Sequence, residues 1–123
     1  KKIELEIFLK DPDLMLDADT NLVEQVLINL IVNAIEAVKD REDPRIVLSA
    51  YYASNKRTVI KVADNGIGMP EEILDKIFIP FFSTKKNGSG IGLSLCKQIM
   101  MLHRGNVQVQ SREGKGTAFI MQF

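Results

Sequence analysis

Glycine recurs at three places in this sequence where a ligand could come close to the backbone. Gly66 and Gly68 follow a strand-like run, Gly88, Gly90 and Gly92 precede a helical one, and Gly114 and Gly116 precede the last strand-like run. The third pair reads as a simple turn. The middle cluster, Gly88-Ser89-Gly90-Ile91-Gly92, has more glycine than a helix start requires. A helix N-terminus presents free N–H groups and the positive end of a dipole, so this cluster reads as a plausible polyphosphate cradle. Asn29 and Asn33 lie four apart and stack on one helix face, with Gln25 extending the stripe and Glu36 beside it. Such amides form either a solvated edge or a ligand surface. Their oxygens suit Mg²⁺, which keeps several waters and takes few protein ligands alongside phosphates. Asp64 enters the first glycine loop, either as an Asx-turn residue or as a carboxylate aimed into a cleft. An acceptor-only group there suits adenine, which offers an amine where guanine offers a carbonyl. A hydrogen bond to such a charged group contributes about 1.5–3 kcal/mol. Lys85 and Lys86 are either a solvated pair or cations within reach of a phosphate.

Several chemistries are excluded. A dinucleotide fingerprint needs a third glycine where this chain has Glu71 or Leu93, and no Gly-x-x-x-x-Gly-Lys-Ser/Thr occurs. One cysteine, Cys96, rules out an internal disulfide or a thiolate zinc cluster, and its apolar helical setting predicts a buried thiol. One histidine, His103, ends a predicted helix beside Arg104, where a partial positive charge is favourable. The formal net charge of zero gives no broad basic surface, so neither nucleic acid nor anionic membrane is expected as a partner. The longest apolar run, Val26–Ala34, is interrupted by both asparagines and falls short of the roughly 18 residues that span a bilayer. The chain opens on Lys1-Lys2 and passes directly into an alternating pattern, which reads as a fragment of a longer protein without a leader.

The elements that must position these residues follow from periodicity. Ile3, Leu5, Ile7 and Leu9 alternate and predict a strand over 3–9 with one buried face. Residues 20–40 predict a long helix capped by Thr20, with Val23, Val26, Leu27, Leu30, Ile31, Ala34, Ile35 and Val38 on its apolar side. Strands are predicted over 45–52 and 58–63, and a short helix from Met69-Pro70 to Ile77. The segment 78–90 has no steady period, with Phe78, Phe81 and Phe82 as apolar anchors. A loop of that length is commonly functional, and Pro80 and Gly88 would hinge it as a lid. A helix over 91–102, stopped by Arg104-Gly105, precedes a strand carrying Val107 and Val109 and a last strand over 117–123. Helices do not alternate singly with strands, so a mixed, mostly antiparallel sheet with helices on one face is expected over a doubly wound sheet. The 123 residues fit one domain.

Taken together, these segments resemble the ATP-binding catalytic domain of sensor histidine kinases, within the superfamily that includes gyrase, Hsp90 and MutL. The resemblance rests on an N box at 25–37, a G1 box at 64–69, an F box and ATP lid at 77–90, a G2 box at 88–93 and a final glycine box at 114–119. It implies an α/β sandwich of the Bergerat type, with a mixed sheet and three helices packed on one face. It implies ATP and Mg²⁺ as cofactors, with Asn33 on the metal and Asn29 near the phosphates or metal waters. Asp64 would take the adenine amine, helped by water near Gly68 and Thr117. Gly66, Met69, Phe78 and Leu93 would line the nucleotide, Lys85 would reach the phosphates, and Gly88, Gly90 and Gly92 would let the following helix offer its amides. The implied activity is donation of the γ-phosphoryl of ATP to a histidine on separate dimerisation helices, and then onward to a response regulator. The implied setting is a cytoplasmic domain, monomeric as a fragment, in a parent that dimerises and is either soluble or membrane-anchored.

Two departures shape that expectation. Hydrolysing relatives carry a glutamate where Asn29 stands, and an amide cannot act as a general base at neutral pH, so hydrolysis is expected to be slow. Glu36 stands where some kinases carry a basic residue, and no binding role is assigned to it. His103 lacks the flanking acidic residue and helical hairpin of a phosphoacceptor. The rival readings are an ATP-driven conformational switch and a degenerate nucleotide-sensing module.

Overall fold

A computed structural model describes residues 2–82 and 92–123. Five strands form one mixed sheet. β1 (Glu4–Leu9) runs parallel to β2 (Arg45–Tyr52), and β2 pairs antiparallel with β3 (Thr58–Asp64). β4 (Asn106–Arg112) and β5 (Gly116–Gln122) complete it, both in antiparallel pairings, to give the order β1-β2-β3-β5-β4. The helices are α1 (Thr20–Val38), α2 (Glu71–Leu74) and α3 (Gly92–Leu102). This is the mixed α/β arrangement that the pattern of elements predicts.

The core forms where α1 and α3 pack on each other and on the sheet. Val26, Leu30, Ala34 and Val38 of α1 recur at four-residue spacing and are all buried. Burial of a Val or Leu side chain stabilises by about 1.5–3 kcal/mol, so this stripe fixes α1 on the sheet. By length and composition alone α1 would cross a membrane, contrary to the estimate from uninterrupted runs, but the stripe lies against β2, β3 and β5. Ile99 and Met100 of α3, Ile46, Val62, Phe119 and Met121 close the core, and Cys96 is buried among them.

Two local expectations are corrected, and one is refined. The cap of α1 is Asp19, whose Oδ1 accepts the Leu22 amide at 3.0 Å, so Thr20 already lies inside the helix. The helix α3 stops at Arg104-Gly105 as expected, with Arg104 left-handed (φ 58°) and the Gly105 amide donating back to Met100 O at 2.9 Å. β1 exists, but its apolar face is uncovered: Leu5, Ile7 and Leu9 are 54%, 69% and 52% exposed. Register aligns them with Ile46, Leu48 and Ala50 on the helix side of the sheet, yet β1 is the edge strand and the helices cover its neighbours.

Candidate nucleotide-binding site

One end of the sheet carries a row of three polar side chains. Asp64 on β3 pairs with Thr117 on β5, and Thr117 pairs with Ser111 on β4. Partnered residues point to the same face of a sheet, and Asp64 also pairs with the buried Ile46, so the row faces the helices. The Asp64 carboxylate accepts the Gly66 amide at 2.8 Å and a second bond from the Thr117 backbone. Partial burial pushes the Asp64 carboxyl above its ordinary range, and these two N–H donors oppose the shift. The carboxylate thus combines an acceptor edge with a half-buried setting.

The loop after Asp64 is locked from several sides. Gly68 sits at φ 70°, and a Cβ there would meet Arg112 O at 2.1 Å, so only glycine lets the loop lie against the β4–β5 turn. The Met69 amide donates to Ser111 Oγ at 2.8 Å, and the Gly114 amide donates to Ile67 O at 2.7 Å. Asn65 accepts the Arg45 amide at 2.8 Å through Oδ1 and donates to Asp43 O. Arg41, just beyond α1, donates through Nε to Asn65 O at 2.9 Å and through Nη2 to Gly114 O. One guanidinium therefore ties the exit of α1, the loop after Asp64 and the β4–β5 turn together.

The other end of the cleft is formed by α1 and α3. Asn29 is half-buried and hydrogen-bonds the Cys96 thiol, and its Oδ1 lies 3.3 Å from where a Cβ on Gly92 would stand. Glycine at 92 lets the first turn of α3 close onto the Asn29 amide. Asn33 follows one turn later on α1 and is half-buried. Burial pushes the Cys96 thiol up to about 11, in line with a structural thiol. Glu36 is exposed and bridges to Lys39 at 2.7 Å.

The structure therefore brings together Asp64, Gly66, Gly68, Met69 and Thr117 at one end, and Asn29, Asn33 and Gly92 at the other. Phe78 packs against the core, edge-on to Phe119 at 6.4 Å with Lys97 Nζ 5.4 Å above its ring, and Leu93 packs there as well. Phe82 also packs on the core, but Phe81 is no anchor: it is 76% exposed at φ 68°. Lys85, Gly88 and Gly90 lie outside the described residues. His103 Nε2 accepts the Asp19 amide at 3.0 Å, which uses its lone pair, so Nδ1 carries the proton toward Ile99 O at 2.8 Å. The ring braces α3 against the cap of α1.

Sequence reasoning missed Ser111, Arg41 and Asn65. Ser111 left a signal: it continues the core-facing parity of Val107 and Val109, and a hydroxyl at such a position needs a partner. Arg41 left none, because its acceptors are backbone carbonyls remote in sequence. The uncovered face of the sheet has a shallow concavity of about 410 Å³ with Lys61, Arg112 and Lys115 on its rim. Asp64, Ser111 and Thr117 also line it, although the side chains of that row are directed to the opposite face of the sheet.

Comparison with known proteins gives a consistent answer. The model of the histidine kinase-, DNA gyrase B-, and HSP90-like ATPase family matches residues 18–123. The signal transduction histidine-protein kinase AtoS of Escherichia coli (strain K12) is 39% identical over 106 residues, covering 86% of this chain and 17% of AtoS. The chain thus spans only about a fifth of the length of the curated relatives it matches. The catalytic domain of histidine kinase ThkA superposes with a TM-score of 0.83 at 35% identity, over 98% of this chain and 79% of that one. ThkA in complex with response regulator protein TrrA matches with a TM-score of 0.76 at 34% identity, over 98% of this chain and 34% of that chain. Full-length ShkA in complex with AMPPNP matches with a TM-score of 0.81 at 28% identity, over 98% of this chain and 25% of ShkA. With its fold, its Asp64 row and its paired asparagines, the chain belongs to the histidine kinase-, DNA gyrase B-, and HSP90-like ATPase family, in the form of a histidine kinase catalytic domain.

Proposed function

We propose that this domain binds Mg·ATP with adenine at the Asp64–Thr117 end and phosphates at the Asn29–Asn33–α3 end. It then delivers the γ-phosphoryl to a histidine on dimerisation helices of a longer, homodimeric protein. The observation that carries the reading is the pairing of an acceptor-only, half-buried Asp64 with an Asn29 amide that faces the start of α3, with Asn33 one turn further along α1. Asp64 takes the adenine amine, the glycine loop lets the ring lie close to the backbone, and the first N–H groups of α3 meet the phosphates. ShkA carries AMPPNP, in line with an adenine nucleotide here.

The donor set fits magnesium bound jointly with the nucleotide. Among the described residues, no group of three His, Cys, Asp or Glu side chains could hold a metal ion. An amide oxygen of Asn33 with phosphate oxygens and water is the mixed oxygen set that Mg²⁺ takes. When bound, the ion would neutralise charge on the transferring phosphoryl. Asn29 and Asn33 orient the phosphate chain, and Asn29 has no carboxylate with which to activate water. Catalysis then consists of positioning and charge neutralisation, and the phosphoryl is kept for a protein acceptor. His103 is not that acceptor, since both its ring nitrogens are engaged within the domain. The ThkA–TrrA complex supports a response regulator as the later recipient.

The test mixes the purified domain with its dimerisation helices and γ-labelled ATP. Label on a histidine of those helices is expected; label released only as inorganic phosphate would overturn the reading. Asn33→Ala should abolish the Mg²⁺-dependent part of ATP affinity while the fold stays intact. Unaltered Mg²⁺ dependence would refute the metal role.

A further inference from the structure

The hydroxyl of Ser111 has three neighbours and one proton. Its oxygen accepts the Met69 amide at 2.8 Å, lies 3.1 Å from Gly116 O, and lies 2.7 Å from Thr117 Oγ1. A serine hydroxyl has one donor and two lone pairs. The Met69 amide consumes one lone pair, which leaves one proton and one lone pair for Gly116 O and the Thr117 hydroxyl. Gly116 O can only accept. All three contacts are satisfied in one arrangement alone: Ser111 donates to Gly116 O, and Thr117 donates to Ser111. In the reverse arrangement Ser111 donates to Thr117, and its bond to Gly116 O is lost.

We infer that Ser111 is a specificity-determining positioning residue: it captures the Thr117 hydroxyl proton and leaves Thr117 facing the nucleobase as an acceptor only. Ser111, Thr117 and Asp64 stand abreast on three adjacent strands, so this polarity is set beside the Asp64 carboxylate. The base-reading end of the cleft then presents acceptors from two strands and no side-chain donor in that row. A 6-amino purine, or a water held beside it, supplies protons to both. A 6-oxo purine puts a carbonyl where the amine stood and has only its N1–H to offer on that edge, so it cannot serve both acceptors. Without Ser111, the Thr117 proton is released and can turn toward a 6-oxo group. The inference rests on adenine binding at Asp64.

The test compares dissociation constants of the purified protein for ATP and for inosine triphosphate, which replaces the 6-amine by a carbonyl and the N1 acceptor by an N1–H donor, and lacks guanine's 2-amine. Ser111→Ala should lower the preference for ATP by about tenfold, as expected for one hydrogen bond changed from unsuitable to suitable. Loss of the Met69 contact weakens both ligands together and leaves the ratio unaffected, so a merely structural role would not move it. Ser111→Thr, which keeps the hydroxyl, should retain the ratio. Asp64→Asn is the reference. If it leaves the preference intact, adenine reading at Asp64 is wrong. If it reduces the preference while Ser111→Ala stays within twofold of wild type, the role of Ser111 is wrong and the Asp64 reading stands. Thr117→Val gives an independent answer should Ser111→Ala not fold. It lowers the preference if Thr117 is an acceptor, and a raised preference would overturn the inference.

Discussion

Arg41→Ala removes a side chain that joins three segments through backbone carbonyls. Its Nε bond to Asn65 O, at 2.9 Å, is partly buried, whereas the Nη2 bond to Gly114 O is solvent-exposed. A hydrogen bond to a charged donor contributes about 1.5–3 kcal/mol when protected from water, and an exposed one far less. The sum is about 2 kcal/mol, which for a domain of this size is about 6–10 °C in Tm. The loss falls on the loop after Asp64 and the β4–β5 turn, so ATP affinity should fall about tenfold as the loop loses preorganisation. Differential scanning calorimetry without nucleotide measures the first effect and titration calorimetry the second. Arg41→Lys retains the charge but not the planar fork that spans two carbonyls, so it should recover less than half of either loss. A Tm within 1 °C of wild type for Arg41→Ala, with unchanged ATP affinity, would refute the clamp.

Three further outcomes are expected. Burial raises the Asp64 carboxyl above its ordinary value of 3.8, so ATP affinity should begin to fall above that pH as the solution is acidified, relative to an Asp64→Ala baseline. The native state holds the Asp64 proton more tightly than the unfolded chain, so this residue's contribution to stability should decrease as pH rises from 3.8 through the raised value, then level off. Urea titrations across that range check the sign, and a rise in this contribution would refute it. Arg104→Gly should stabilise the nucleotide-free protein by about 0.5–1 kcal/mol, because a left-handed β-carbon costs about 1–2 kcal/mol and the added chain entropy of glycine offsets part of that; a lower Tm would contradict it. Cys96, buried with a thiol raised to about 11, should react with a thiol reagent at pH 8 at least about a hundredfold more slowly than in denaturant. Comparable rates would show that the core around it is open.

The strand, helix and loop order was legible because local pattern dictates it. The Val26–Val38 stripe reads as one buried helix face, and Val107 with Val109 reads as one strand face. Asn29, Asn33 and Asp64 stood out for a related reason: polar groups at positions where the pattern expects burial or a turn. The N-cap of α1 was less legible: Asp19 and Thr20 are both competent caps, so the packing of neighbouring segments selects between them.

Composition and spacing determined that this chain folds around a mixed sheet and carries an acceptor carboxylate, paired amides and glycine loops suited to a nucleotide. Only the tertiary structure decided that Leu5, Ile7 and Leu9 stay uncovered, because the reach of α1 across the sheet is a property of packing and not of β1 itself. Tertiary structure likewise brought Arg41 to the Gly114 turn and placed Ser111 between Met69 and Thr117. Those contacts join positions far apart in the chain through hydrogen bonds, which have no periodicity and leave no trace in a linear pattern. The polarity of the site, meaning which hydroxyl gives its proton and which keeps a lone pair, is fixed by these contacts once the strands are in register.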